Sequence, residues 1–90
     1  MVTAFVLINT NDKDIKGIAE SILNVEGVTE VYPVAGEYDF ICVVRVDDNH
    51  KLSDVITEEI IHRPGVRHTK TLFALKAYSN VDLEGVFMGS

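Results

Sequence analysis

The feature that most constrains the fold of this 90-residue chain is a pattern that occurs twice: a β-rich run, an amphipathic helix and another β-rich run. The first copy has strands at 3–9 and 29–34, and the second copy has strands at 40–46 and 66–78. Two such βαβ copies joined by a hairpin predict the order βαββαβ, which is the ferredoxin-like plait. We therefore expect an α+β fold with a four-stranded antiparallel sheet and two helices on one face.

The two helices are predicted from apolar residues that recur at helical spacing. The apolar positions are Ile15, Ile18, Ala19, Ile22 and Leu23 in the first helix and Leu52, Val55, Ile56 and Ile60 in the second. Polar residues at 10–12 and 47–49 precede these runs and are expected to cap the helices. Gly27 is expected to end the first helix, and Pro64-Gly65 the second.

The first and third strands are apolar on both faces, although two helices can cover only one face of the sheet. In the first strand Ala4, Val6 and Ile8 alternate with Phe5 and Leu7. A monomer would expose such a face to water, and large exposed apolar patches mark interfaces. We expect a two-fold homodimer that packs sheet on sheet, a dimeric α/β barrel. The alternative is that residues 79–87 fold over this face, which their short and half-polar sequence disfavours.

Composition excludes several classes of protein. The formal net charge of −6 argues against direct binding of nucleic acid, which depends on Lys and Arg to neutralise phosphates. No apolar run approaches the roughly 18 residues of a membrane span, and the N-terminus has no signal-peptide pattern. Cys42 is the single cysteine, so an intrachain disulfide is impossible. These features favour a cytoplasmic protein.

Residue types that often carry catalysis lack the context they need. His50, His62 and His68 match no zinc or haem spacing, and Cys42 lies within an apolar strand where thiols are normally inert. The inward positions of both helices are aliphatic and offer no general base with an orienting partner. We expect no enzymatic activity, no metal and no cofactor.

The segment Gly36-Glu37-Tyr38-Asp39 is the strongest candidate for a binding site. It forms a turn between two strands, and it holds one aromatic ring and two carboxylates, although a hairpin turn needs only Asn-Gly or Asp-Gly. The Asp39 carboxylate could bond local backbone N–H groups, or it could meet the ammonium or amide group of a small polar ligand. The residues alone leave both interpretations open.

Thr69 and Thr71 are a weaker candidate on the fourth strand. They lie two residues apart and so share one face of the strand, with Lys70 on the other. Threonine is a good strand former, which is the simpler explanation for this pair. The alternative is that the two hydroxyl groups line a ligand pocket near the sheet edge.

In these segments the chain resembles the effector-binding domain of the Lrp/AsnC transcription regulators, called the RAM domain (regulation of amino-acid metabolism). Residues 36–39 match the family's G-x-Y-D turn, residues 64–71 match its P-G-V-x-x-T-x-T run, and Gly27-Val28 fits as well. The resemblance covers residues 1–79 and leaves 80–90 as a C-terminal extension.

The resemblance implies a plait that dimerises through its sheets, with dimers that assemble into octamers. It also implies small effectors, typically amino acids, at the interfaces between dimers near the turn. The ligand-binding residues that it implies are Gly36, Glu37, Tyr38, Asp39, Thr69 and Thr71. Glu37 occupies the variable position of the motif and is expected to tune ligand choice.

Because the first strand begins at residue 3, we expect a stand-alone RAM domain without the family's helix-turn-helix domain. Such a protein would sense an amino acid, or co-assemble with a full-length regulator and alter it. Alternatives are a small dimeric α/β-barrel enzyme of the monooxygenase kind, an ACT-like amino-acid sensor and a purely structural oligomerisation module, because one fold hosts many functions.

Overall fold

The computed structural model describes residues 1–80, which form a plait in the predicted order. The strands are β1 (Val2–Thr10), β2 (Val28–Pro33), β3 (Phe40–Val46) and β4 (Val66–Phe73). Helix α1 is Ile15–Leu23, and helix α2 begins as the α-helix Asn49–Asp54 and continues as the π-helical stretch Val55–Ile60. The predicted α+β plait is confirmed. The predicted C-terminal extension lies, apart from Asn80, outside the described residues.

The four strands form one antiparallel sheet in the order β2-β3-β1-β4. Phe5 on β1 lies opposite Val43 on β3 and opposite Leu72 on β4, so these residues form one row across the sheet. The register between β1 and β4 shifts at Asn9 and Thr10, where β1 ends. The central strands β1 and β3 are the most apolar in sequence, which agrees with their position inside the sheet.

The core lies between one face of the sheet and the two helices. Its buried residues, all at most 9% exposed, include Ala4, Val6 and Ile8 of β1, Phe40, Cys42, Val44 and Val46 of β3, Ile18 and Ile22 of α1, and Leu52, Val55, Ile56 and Ile60 of α2. Ile15 was predicted to face inward, and this was wrong because it is 38% exposed; Leu23, from the same apolar pattern, is 49% exposed. Both are terminal residues of the nine-residue helix α1, whose buried residues are Ile18 and Ile22.

The first helix is capped later than the sequence predicted. Asp14 is its N-cap, and the Asp14 carboxylate accepts a hydrogen bond from the Gly17 N–H at 3.0 Å. Thr10 and Asp12 instead stabilise the preceding turn, since Thr10 Oγ1 accepts from the Asp12 N–H at 3.0 Å. The prediction for α2 is confirmed, because Asp48 caps that helix.

Two predicted ends of elements were wrong. Helix α1 ends at Leu23, and Gly27 instead forms the turn into β2 with a φ of 100°. Strand β4 ends at Phe73 and does not continue to Tyr78. The Ala74 N–H still donates to the Thr3 carbonyl, but β1 begins at Val2, so the chain beyond this point has almost no strand residue left to pair with.

Candidate functional site

Two backbone hydrogen bonds hold the turn between β2 and β3, and one of them attaches it to the end of β1. The Val34 N–H donates to the Asp39 carbonyl at 2.9 Å and closes the turn, while the Asp39 N–H donates to the Ile8 carbonyl at 2.9 Å. Gly36 and Glu37 are exposed, and Tyr38 is half-buried. A Cβ placed on Gly36 would have no heavy atom within 4 Å, so the outer side of the turn is open.

The half-buried Asp39 carboxylate has a structural partner on β1. Its Oδ2 accepts a hydrogen bond from the backbone N–H of Thr10 at 2.9 Å. Within residues 1–80, Oδ1 receives no hydrogen bond. The sequence left open whether this carboxylate holds backbone N–H groups or a ligand. The structure shows the first role for one oxygen, and leaves the second oxygen without a donor in the described chain.

Thr69 and Thr71 are both half-buried on β4, opposite Ile8 and Val6 of β1. Residues that lie opposite each other in an antiparallel pair share a face, so both threonines are on the helix side of the sheet. Thr71 lines a mostly apolar groove of about 610 Å³ between β4 and α2, together with Ile56 and Phe73. The predicted strand-face relationship of the two threonines therefore holds.

The six predicted site residues fall into two groups within one protomer. Gly36, Glu37, Tyr38 and Asp39 are contiguous in the turn, next to β3. Thr69 and Thr71 lie on the other side of β1, and neighbouring strands are about 4.8 Å apart. The groove that contains Thr71 has no lining residue from the turn. Within one protomer, the groove beside Thr71 therefore does not bring the six residues together.

The sheet face opposite the helices is apolar, as the sequence predicted for β1 and β3. Its central residues are Phe5, Leu7, Ile41, Val43 and Leu72, and we call this surface the open face. Val43 is only 4% exposed although it lies outside the core cluster, whereas Phe5 and Leu72 remain substantially exposed. The contribution of β4 to this face was not predicted, although Leu72 alternates with Thr71 and Phe73 as in a strand with two different faces.

Neither an accessible thiol nor a metal-holding cluster is found among residues 1–80. Cys42 is fully buried in the core, and burial raises the pKa of its thiol to about 11. Within residues 1–80, no cluster of three or more His, Cys, Asp or Glu side chains could hold a metal ion. No helix in this part of the chain is long and apolar enough to cross a membrane.

The strand order, the helices on one face and the apolar open face define a ferredoxin-like plait. The model of the family described as the Lrp/AsnC ligand binding domain matches residues 3–82. The chain therefore belongs to the Lrp/AsnC ligand-binding domain family.

Known proteins similar to this chain include HTH-type transcriptional regulators. An uncharacterized HTH-type transcriptional regulator of Pyrococcus furiosus, PF0250, is 37% identical over 73 residues, which cover 78% of this chain and 49% of that protein. The HTH-type regulator FL11 of Pyrococcus abyssi is 29% identical over 75 residues, which cover 83% of this chain and 49% of that protein. The chain thus spans about half the length of the curated relatives it matches, and these relatives are transcription regulators by name.

Two solved structures illustrate the similarity. TTHA0845 from Thermus thermophilus is 42% identical with a TM-score of 0.80, and the match covers 88% of this chain and 99% of that one. The feast or famine regulatory protein Rv3291c from M. tuberculosis, complexed with L-methionine, is 29% identical with a TM-score of 0.73. That match covers 89% of this chain and 54% of the mycobacterial chain.

Proposed function

We propose that this chain is a non-enzymatic effector-binding and oligomerisation domain that senses an amino acid and thereby modulates transcription or amino-acid metabolism. The observation that carries the proposal is the match of residues 3–82 to the Lrp/AsnC ligand binding domain. The similar mycobacterial regulator is complexed with L-methionine, which makes methionine the first effector to test. Such a domain acts in the cytoplasm, where the regulators of transcription meet DNA.

The proposed effector site comprises Gly36, Glu37, Tyr38, Asp39, Thr69 and Thr71. The Asp39 Oδ1 atom has no donor among the described residues, so it is suited to accept a charge-assisted hydrogen bond from the effector's ammonium group. Backbone N–H groups around Gly36 and the threonine hydroxyls would hold the effector's carboxylate. Because β1 separates the turn from the threonines in one protomer, neighbouring dimers would complete the site between them.

The proposed assembly begins with a two-fold homodimer through the open face. Burial of Phe5, Leu7 and Ile41 against the same residues of a second copy would remove apolar surface from water, at about 25 cal/mol per Å². Dimers would then assemble further, with an octamer as the expected size. Co-assembly with a full-length regulator is a further route to regulation, since an effector that prefers one assembly shifts the equilibrium towards it.

The test is a thermal-shift screen of the purified protein against the twenty amino acids, with light scattering on the same samples. A ligand that binds only the folded state at about 100 times its Kd stabilises the protein by roughly 2.7 kcal/mol. We expect a shift with at least one amino acid, lost in Asp39→Asn and kept in Asp47→Asn, which removes an equal charge from an exposed position. No shift with any amino acid would contradict the proposal and favour a structural oligomerisation module.

A further inference from the structure

We infer that the groove between β4 and α2 holds the side chain of the effector and selects neutral amino acids with a long aliphatic side chain, an inference that rests on the proposed function. Thr71 belongs both to the proposed effector site and to the lining of this groove. An effector whose carboxylate is bound by the threonine hydroxyls would have its side chain beside the groove. The groove volume of about 610 Å³ is within the range of small-molecule sites.

The groove lies on the helix side of the sheet and not on the open face. Phe73 of β4 lines it and lies opposite Ala4, which is a buried residue of the core. The neighbouring residue Leu72 lies opposite Phe5 on the open face. Because successive residues of a strand point to opposite faces of the sheet, a homodimer that packs open face against open face does not cover the groove.

The groove is open because α2 packs against β3 and β1, whereas β4 lies at the edge of the sheet. The residues of β4 on the helix side are therefore only partly covered, and Phe73 is 61% exposed while Thr71 is half-buried. From α2 the groove is lined by Ile56, which is nearly buried, and by the short side chains of Ser53 and Thr57. An aliphatic chain placed here would remove exposed apolar surface from water.

The lining of the groove carries no charge. None of the described residues that form it is Asp, Glu, Lys, Arg or His, although charged residues make up 24% of the chain. One of its hydroxyl groups is already engaged, because Thr57 Oγ1 donates to the Ser53 carbonyl at 2.7 Å. A charged side chain would lose its water in this groove without gaining a counter-charge, which is strongly unfavourable. An aliphatic side chain pays no such penalty.

The helix side of the groove coincides with the start of the π-helical stretch. Ile56 and Thr57 belong to this stretch, and the Ile61 N–H donates to the Ile56 carbonyl at 3.2 Å, five residues earlier in the chain. Turns of this kind are rare in proteins and occur frequently at functional sites. The helix geometry at this position therefore agrees with a binding role for the groove.

The test measures the Kd of four linear amino acids by isothermal titration calorimetry: L-alanine, L-2-aminobutyrate, L-norvaline and L-norleucine. Each member of the series adds one CH₂ group to the side chain, and burial of one CH₂ group corresponds to about fourfold in Kd. We expect the affinity to rise about fourfold at each step. L-Lysine carries the norleucine chain with a terminal ammonium group and should bind about tenfold or more weakly than norleucine.

Ser53→Leu is the variant that fills the groove. Ser53 is exposed on α2, so the larger side chain adds bulk without removing a contact of the core. We expect norleucine binding to weaken by about tenfold and alanine binding to change by less than about twofold, because only the long side chain needs the filled space. Ser21→Leu makes the same change on α1, away from the groove, and should leave both affinities unchanged.

The outcomes separate this inference from the proposed function. If amino acids bind but the affinity does not rise along the series, or lysine binds as tightly as norleucine, the groove does not hold the side chain and the proposed function stands. The same conclusion follows if Ser53→Leu and Ser21→Leu have equal effects. Binding of no amino acid at all would overturn both. Should Ser53→Leu fail to fold, the series and the lysine comparison still decide, since they use the parent protein.

Discussion

The backbone N–H of Thr10 donates to Oδ2 of Asp39 at 2.9 Å, and this hydrogen bond joins residues 29 positions apart in sequence. It fixes the end of β1 against the turn that precedes β3. The carboxylate proposed to bind the effector therefore also stabilises the sheet. Stability and effector binding are consequently linked at Asp39, and two different substitutions separate them.

Asp39→Ala should lower the free energy of unfolding by about 1–3 kcal/mol, because it leaves the part-buried Thr10 N–H without its acceptor. Asp39→Asn keeps a side-chain oxygen in the same place and should recover most of this loss. Both variants should lose the amino-acid effector, because neither carries the negative charge that meets an ammonium group. Urea denaturation and the thermal-shift screen measure the two effects. Effector binding by Asp39→Asn at the parent affinity would contradict the site assignment.

Gly27→Ala should destabilise the protein more than Gly36→Ala. Gly27 has a φ of 100°, and an added Cβ would lie 2.8 Å from Val46 Cγ1 and 3.3 Å from Val55 Cγ2. The backbone conformation costs about 1–2 kcal/mol for a non-glycine residue, and crowding in the core adds about 1–3 kcal/mol. Gly36 also has a positive φ, of 153°, but its Cβ would meet nothing within 4 Å. Equal midpoints in urea denaturation would contradict this account.

The sequence predicted those elements whose pattern is local. The bounds 40–46 of β3 are confirmed, since the apolar run is bounded by the turn on one side and by the Asp48 cap on the other. The end of β4 could not be predicted, because apolar residues continue to Tyr78. The end of β4 depends on where β1 begins, because β4 can pair only with residues of β1. This pairing is a property of the tertiary structure.

In the candidate sites, too, local features could be predicted from sequence and tertiary contacts could not. The turn at 36–39 is contiguous and could therefore be found from sequence. The hydrogen bond from the Thr10 N–H to Asp39 could not be predicted, because a backbone N–H 29 residues away has no sequence signature. Arg45 is the one charged residue in the otherwise apolar run of β3. Its enclosed Nε has no hydrogen-bond acceptor within residues 1–80, and this follows from the neighbouring strands and could not be predicted from sequence.

Leu7→Glu should convert the assembly to monomers, because it places a charge at the centre of the open face opposite Ile41. Burial of an unpaired carboxylate against an apolar surface is unfavourable enough to prevent sheet-on-sheet packing. Leu23→Glu is the matched control, since Leu23 is 49% exposed at the end of α1. Light scattering after gel filtration gives the masses. An unchanged mass for Leu7→Glu would show that the open face is not the dimer interface.

The stability of the protein should fall between about pH 9 and pH 11 because of Cys42. Burial raises the pKa of this thiol from 9.0 to about 11, so the unfolded state loses its proton first as the pH rises. The stabilisation is fully present below pH 9, and it is lost as the pH approaches the pKa of the folded protein. At about 1.4 kcal/mol per pKa unit, the loss is about 2–3 kcal/mol.

Cys42→Ala is the control for this pH dependence, because it removes the thiol and leaves every other ionisable residue in place. The variant is expected to be less stable at pH 7, since it leaves a small cavity beside Val6. The informative quantity is the difference between the two urea midpoints as a function of pH. That difference should narrow from pH 9 to pH 11, because only the parent loses the contribution of the buried thiol. Parallel curves would mean that the thiol ionises equally well in the folded and unfolded states.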